Sequence, residues 1–241
     1  MEKKTRKDRI IVALDTPDKI MCERLVHTLS GTVSIFKIGS ELFTACGYEA
    51  ISIVLDAGAQ VFLDLKFYDI PNTVANVSQI VSRFGVKMFN VHALGGEKMM
   101  RATKAAVEGE TQKRGLTQPL ILAVTILTSL SQENMQQILG TERSLDEQVL
   151  RLAESAKESG LDGIVASAHE VAMIKKKLGK DFIVVTPGVR PSWVAQQDQI
   201  RVVTPKEAFD NGSDYLVIGR PITSAADPLE AAQRIVEEVE Q

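Results

Sequence analysis

Eight short apolar runs are spaced along the chain, at 10–14, 33–38, 61–65, 88–91, 120–124, 163–166, 182–185 and 215–218. Val, Ile and Phe dominate them, and most do not alternate between apolar and polar residues. Strands covered on both faces read this way, so a parallel sheet is predicted. The segments between them carry helical periodicity. In 144–156, Leu145, Val149, Leu152, Ala153 and Ala156 form one stripe, with Ser144 and Glu147 at capping-box spacing. In 72–84, Val74, Val77, Val81 and Phe84 form another, with Asn72 as the expected cap after Pro71. Asp227, Pro228 and Glu230 open a third, over 227–239. A glycine precedes seven of the eight runs: Gly31, Gly58, Gly85, Gly115, Gly160, Gly179 and Gly212. Glycine can take the left-handed conformation that turns a helix end into the next strand. The repeated unit is strand, helix, glycine. Eight such units make an α/β chain, a single-domain (β/α)8 TIM barrel over residues 1–241. A doubly wound open sheet is the alternative, which periodicity alone does not exclude.

Composition narrows the function classes. Lys and Arg total 28 against 31 Asp and Glu, a formal charge of −3, so no global basic excess points to nucleic acid. No apolar run approaches the roughly 18 residues of a membrane span. The segment 1–9 is charged, and the apolar stretch after it stops at Asp15, too short for a signal sequence. Cys22 and Cys46 are the only cysteines and belong to no metal-binding pattern, so two reduced thiols in a cytoplasmic protein are expected.

In such a barrel the active site lies at the C-terminal ends of the strands. Those ends carry Asp15, Lys37, Asp64 with Lys66, His92, Thr125 with Thr128, Ser167, Pro187-Gly188 with Arg190, and Gly219-Arg220. Asp64 and Lys66 are two apart and share a face of a regular strand. A buried charge needs a partner, and each can serve the other. Lys37 and Asp69 add two more charges to the same small volume. Gly219 lets a backbone N–H approach an anion, and Arg220 offers two donors to phosphate oxygens. The loop 189–203, polar from Ser192 to Arg201, is expected to act as a lid over a ligand phosphate. His92 is read as a hydrogen-bonded structural histidine, with acid–base work as the alternative. His169 is read as a helix start, Trp193 as a lid or packing residue, and Lys175 to Lys177 as a solvated helix face.

Asp64-Leu65-Lys66-Phe67-Tyr68-Asp69-Ile70-Pro71-Asn72-Thr73 closely resembles the signature of the orotidine 5′-phosphate decarboxylase family. Ala13-Leu14-Asp15, Phe36-Lys37-Ile38-Gly39, Asn90-Val91-His92-Ala93, Leu127-Thr128-Ser129, Thr186-Pro187-Gly188-Val189-Arg190-Pro191, Asp198-Gln199 and Ile218-Gly219-Arg220-Pro221-Ile222 resemble further family segments, in family order. The likeness spans nearly the whole chain and is to the compact, bacterial-type form. It implies decarboxylation of orotidine 5′-phosphate to uridine 5′-phosphate (UMP), the last step of de novo pyrimidine nucleotide synthesis, with no metal and no organic cofactor. Lys66 is then the proton donor, and Lys37, Asp64 and Asp69 complete the charge network. Asp15 and Lys37 bind ribose hydroxyls, and Thr128 touches the pyrimidine. Pro187, Arg190, Gln199, Gly219 and Arg220 hold the phosphate and close the lid, and Ile70 belongs to the substrate-binding set. The resemblance also implies a homodimer in which Asp69 and Thr73 reach the neighbouring subunit's site.

Two other readings compete. Hexulose-phosphate synthase and related lyases look similar around the Asp-x-Lys element, but they use a divalent metal and typically carry an acidic residue where this chain has Lys37. A non-catalytic barrel that senses a phosphorylated nucleotide is the second.

Overall fold

The computed structural model describes residues 5–193 and 203–240. Its elements run β1 (Ile10–Ala13), α1 (Lys19–Leu29), β2 (Ile35–Gly39), α2 (Ser40–Cys46), α3 (Tyr48–Asp56), β3 (Gln60–Phe67), α4 (Pro71–Ser82), β4 (Met88–His92), α5 (Gly96–Arg114), β5 (Leu120–Val124), α6 (Gln132–Leu139), α7 (Leu145–Glu158), β6 (Gly163–Val165), α8 (Val171–Leu178), β7 (Ile183–Pro187), α9 (Pro205–Asp210), β8 (Tyr215–Ile218), α10 (Arg220–Thr223) and α11 (Pro228–Glu240). The eight strands are parallel and join in sequence order into one closed barrel, β8 returning to β1. The open-sheet alternative is thereby excluded. Each apolar run of the sequence overlaps one of these strands. Among the described residues, no helix is long and apolar enough to cross a membrane.

By internal contacts the chain forms two compact units, Met1–Leu65 with Thr186–Gln241, and Lys66–Val185. In the first unit, β2 pairs with β1 and β3, and β1 with β8. The registers Ala13↔Lys37 and Gly39↔Asp64 bring the upper ends of β1, β2 and β3 side by side. Ile10, Ile11, Val12 and Leu14 are wholly buried, as a strand covered on both faces requires. The Asp18 carboxylate caps α1 by accepting from the Ile20 and Met21 N–H groups. At the start of α11, Asp227 accepts from Leu229 and Glu230 in the same way.

In the second unit, β4, β5, β6 and β7 pair in turn, with Asn90↔Leu122, His92↔Val124 and Gly163↔Ile183 in register. Gly163 is sterically obligatory, because a Cβ there would collide with the Ile183 backbone carbonyl. The expected Ser144–Glu147 capping box is present at α7.

The structure corrects the local reading in three places. Asn72 does not cap α4. The helix begins at Pro71 with Ile70 at the cap position, because proline's fixed φ and missing N–H suit the first helical residue. Gly31 does not have a positive φ, unlike the other six glycines named before strands. The turn after α1 instead closes with the Thr32 and Val33 N–H groups both donating to the Leu29 carbonyl. Finally, two helices rather than one follow β2, β5 and β8.

Candidate active site

Asp15, Lys37 and Asp64 meet in the first unit. The Lys37 ammonium lies 3.0 Å from Asp15 Oδ1 and 3.4 Å from Asp64 Oδ2. Lys37 and Asp64 are both buried, at 9% and 8% exposure, while Asp15 opens to solvent. Desolvating an ammonium costs several kcal/mol, and two charge-assisted contacts offset that cost. Two glycines make the room. A Cβ at Gly39 would stand 3.0 Å from Lys37 Nζ and 3.5 Å from Asp15 Oδ1, and one at Gly219 would stand 3.6 Å from Asp15 Oδ2.

Gly219 is also one of the expected phosphate residues, and Pro187, Arg190 and Arg220 belong to the same unit. Gly219 follows β8, and Arg220 opens α10 with its side chain exposed. Pro187 ends β7, and the Arg190 N–H donates to the Val203 carbonyl at 3.1 Å. A cavity of about 340 Å³ is lined by Arg220, Asp227, Glu230, Arg234 and Trp193 among others. The Arg234 guanidinium lies over the Trp193 ring, 4.4 Å from its centroid, so Trp193 packs onto α11. Asp15, Lys37 and Asp64 do not line this cavity. The buried charges, rather than this hollow, mark the chemistry. Gln199 and most of the expected lid, residues 194–202, lie outside the described residues.

Lys66 follows Asp64 on β3 by two residues and opens the second unit. Among the described residues it is the one non-glycine with a positive φ, 50°. Its N–H donates to Asn90 Oδ1 at 2.8 Å, and Asn90 is fully buried on β4. Two residues further along β4 stands His92, whose Nδ1 accepts from the Leu94 N–H at 3.3 Å. Burial, and then the nearby Lys66 ammonium, hold its pKa below the ordinary histidine value. The ring is therefore neutral at pH 7, with its proton on Nε2, and the Tyr68 ring packs 5.6 Å from it. The hydrogen bond expected of His92 is thus present, through its Nδ1. Asp69 is exposed, and its Oδ1 accepts from the Ile70 N–H at 2.6 Å. Ile70, Thr73 and Thr128 are exposed as well.

Three features went unnoticed in the sequence. Asn90 sits within a quoted family segment but received no role, although an amide at the centre of the apolar run Met88-Phe89-Asn90-Val91 is itself a signal. Gly39 received no role either. The left-handed backbone of Lys66 has no sequence signal at all.

The model of the orotidine 5′-phosphate decarboxylase / HUMPS family matches residues 8–235. The chain belongs to this family. The orotidine 5′-phosphate decarboxylase of Moorella thermoacetica is 51% identical over 97% of this chain and 93% of its own length. That of Syntrophotalea carbinolica is 50% identical over 96% and 94%. The crystal structure of orotidine 5′-phosphate decarboxylase from Lactobacillus acidophilus superposes with a TM-score of 0.85 at 38% identity, covering 97% of this chain and all of that one.

Proposed function

We propose that this protein decarboxylates orotidine 5′-phosphate to UMP, the last step of de novo pyrimidine nucleotide synthesis, without a metal or organic cofactor. The C6–carboxylate bond breaks heterolytically, its electron pair stays on C6, CO2 leaves, and Lys66 delivers a proton to C6. The pair occupies an in-plane orbital that the ring delocalises poorly, so a fixed ammonium is a direct way to stabilise it. Asp64, close to the substrate carboxylate, adds a repulsion that loss of CO2 relieves. Asp15 and Lys37 bind the ribose, Thr128 touches the base, Ile70 belongs to the substrate-binding set, and Pro187, Arg190, Gln199, Gly219 and Arg220 hold the phosphate.

The observation that carries this reading is the position of the Lys37 ammonium. It fills the space between Asp15 and Asp64, at 3.0 and 3.4 Å, where a metal-dependent lyase would need a cation and a further acid. A homodimer in which Asp69 and Thr73 serve the partner's site belongs to the same proposal. It is supported by Tyr68 and Ile70, which flank Asp69 and are 62% and 65% exposed. A cytoplasmic location is part of the reading too, supported by two cysteines that are both unpaired thiols.

Purified protein is incubated with orotidine 5′-phosphate, with and without chelator, and the loss of substrate absorbance is followed. Equal turnover in both arms is expected. Turnover abolished by chelator refutes the metal-free reading, and no turnover in either arm refutes decarboxylation and leaves the sugar-phosphate lyase and nucleotide-sensor readings.

A further inference from the structure

Two locally unfavourable features meet in a single hydrogen bond. A left-handed backbone at a non-glycine residue costs about 1–2 kcal/mol, and Lys66 adopts one within a strand. An amide buried at the centre of a strand costs about 1–3 kcal/mol if its hydrogen bonds are unmet, and Asn90 is wholly buried at the centre of β4. The Lys66 N–H to Asn90 Oδ1 bond, 2.8 Å long, joins the two.

Barrel stability alone explains neither feature. An aliphatic residue would suit position 90 in a run whose other members are apolar, and a regular extended backbone would suit position 66. What the arrangement does is change the direction in which the Lys66 side chain leaves the strand. A regular strand sends alternate side chains to opposite faces, and a residue at φ 50° departs from that alternation. Asn90 reaches up from the neighbouring strand of the barrel and holds the peptide N–H in the orientation this departure requires.

We propose that Asn90 is a positioning residue for the proton donor: its side-chain carbonyl fixes the left-handed backbone of Lys66 and thereby aims the ammonium at the reacting carbon. This rests on the decarboxylase reading for its catalytic half, while its structural half stands independently. Asn90 touches no reacting atom and acts only through Lys66.

Two variants separate this role from packing. Asn90→Leu keeps the approximate volume and removes the acceptor, and Asn90→Asp keeps an acceptor in the same place. Crystal structures of both are determined, together with kcat, KM and the affinity for UMP. In Asn90→Leu the Lys66 φ is expected to return to negative values, and kcat to fall on the order of a hundredfold, the usual scale for a displacement of about 1 Å at a reacting group. KM and UMP affinity are expected to stay within about threefold, because ground-state contacts are untouched. In Asn90→Asp the positive φ is expected to persist, with kcat well above that of the leucine variant. Should the leucine variant fail to fold, Asn90→Ala removes the same acceptor without added bulk. A φ that stays near 50° without the acceptor overturns the proposal, as do equal kcat losses in the aspartate and leucine variants. Wild-type protein that does not decarboxylate at all refutes the functional reading, and the φ of the two variants still decides the structural half.

Discussion

Glu170 provides a quantitative test of how burial sets stability in this barrel. It stands at the N-terminus of α8, 7% exposed, with its carboxylate accepting from the Ser167 N–H at 2.8 Å. Burial pushes its pKa up to about 7; the Ser167 hydrogen bond opposes the shift, and Asp146 on α7 adds to it. The ordinary value is 4.5, so the unfolded chain releases this proton more easily than the folded one. Below 4.5 both states are protonated and the group has no linkage effect. As pH rises from 4.5 to 7, unfolding releases a proton and stability falls, and above 7 the loss is complete. At about 1.4 kcal/mol per pH unit, that interval corresponds to about 3 kcal/mol. Glu170→Gln carries no charge at any pH and keeps an acceptor for Ser167. It is expected to match wild type at pH 4.5 and to exceed it by up to about 3 kcal/mol at pH 8, or about 6–12 °C in Tm for a chain of this size. Calorimetric melts of both proteins at the two pH values, at one scan rate, make the measurement. A Tm difference independent of pH, or a glutamine variant less stable at pH 8, refutes the argument from burial.

The site residues carry further expectations. Lys66→Ala should lose nearly all turnover while binding UMP by calorimetry as wild type does; substantial residual decarboxylation removes Lys66 as the proton donor. Arg220→Ala should lower kcat/KM strongly with little change in Tm, since exposed substitutions usually shift stability by no more than about 0.5 kcal/mol; wild-type kinetics count against a phosphate contact. Gly39→Ala tests space rather than conformation, because Gly39 has φ −90°, which alanine also adopts. Its methyl would press on the Lys37 ammonium, so a rise in KM is expected together with an overpacking loss of about 1–3 kcal/mol; unchanged kinetics mean that the ammonium can shift at no cost.

Much of the barrel was legible because burial on both faces leaves a direct trace in residue type. The run Ile10 to Leu14 needs no alternation when both of its sides are covered, and eight such runs leave few alternatives. Capping was legible where side chains do the capping, at Ser144 and Asp227, and misread at Asn72, where the constraint of Pro71 on the backbone outweighed an available amide. Among the site residues, Lys37 and Asp64 were legible as charges at strand ends. That Lys37 would bridge Asp15 and Asp64 was not, because the bridge depends on the registers Ala13↔Lys37 and Gly39↔Asp64, which no single segment encodes.

The positions where local rules fail are themselves informative. Lys37 and Asp64 are charges buried at strand ends, Asn90 is an amide in a strand centre, and Lys66 is a non-glycine at positive φ. A sequence selected for stability alone would replace the Lys37–Asp64 pair together by aliphatic residues, and would use regular strand geometry at Lys66 and an apolar residue at Asn90. Natural chains keep such violations chiefly where function requires them. All four lie on β2, β3 or β4, and two of them, Asp64 and Lys66, are separated only by Leu65. By contrast, β5 is aliphatic throughout, and β6 carries no charge among its own residues. Among the strands, such violations therefore gather on those that carry the charged chemistry, although a buried carboxylate also occurs off the strands at Glu170. Conservative aliphatic substitutions on β5 should therefore leave turnover intact, whereas an aliphatic residue at Lys37 or Asp64 alone leaves its buried partner charge uncompensated and should lose stability and catalysis together.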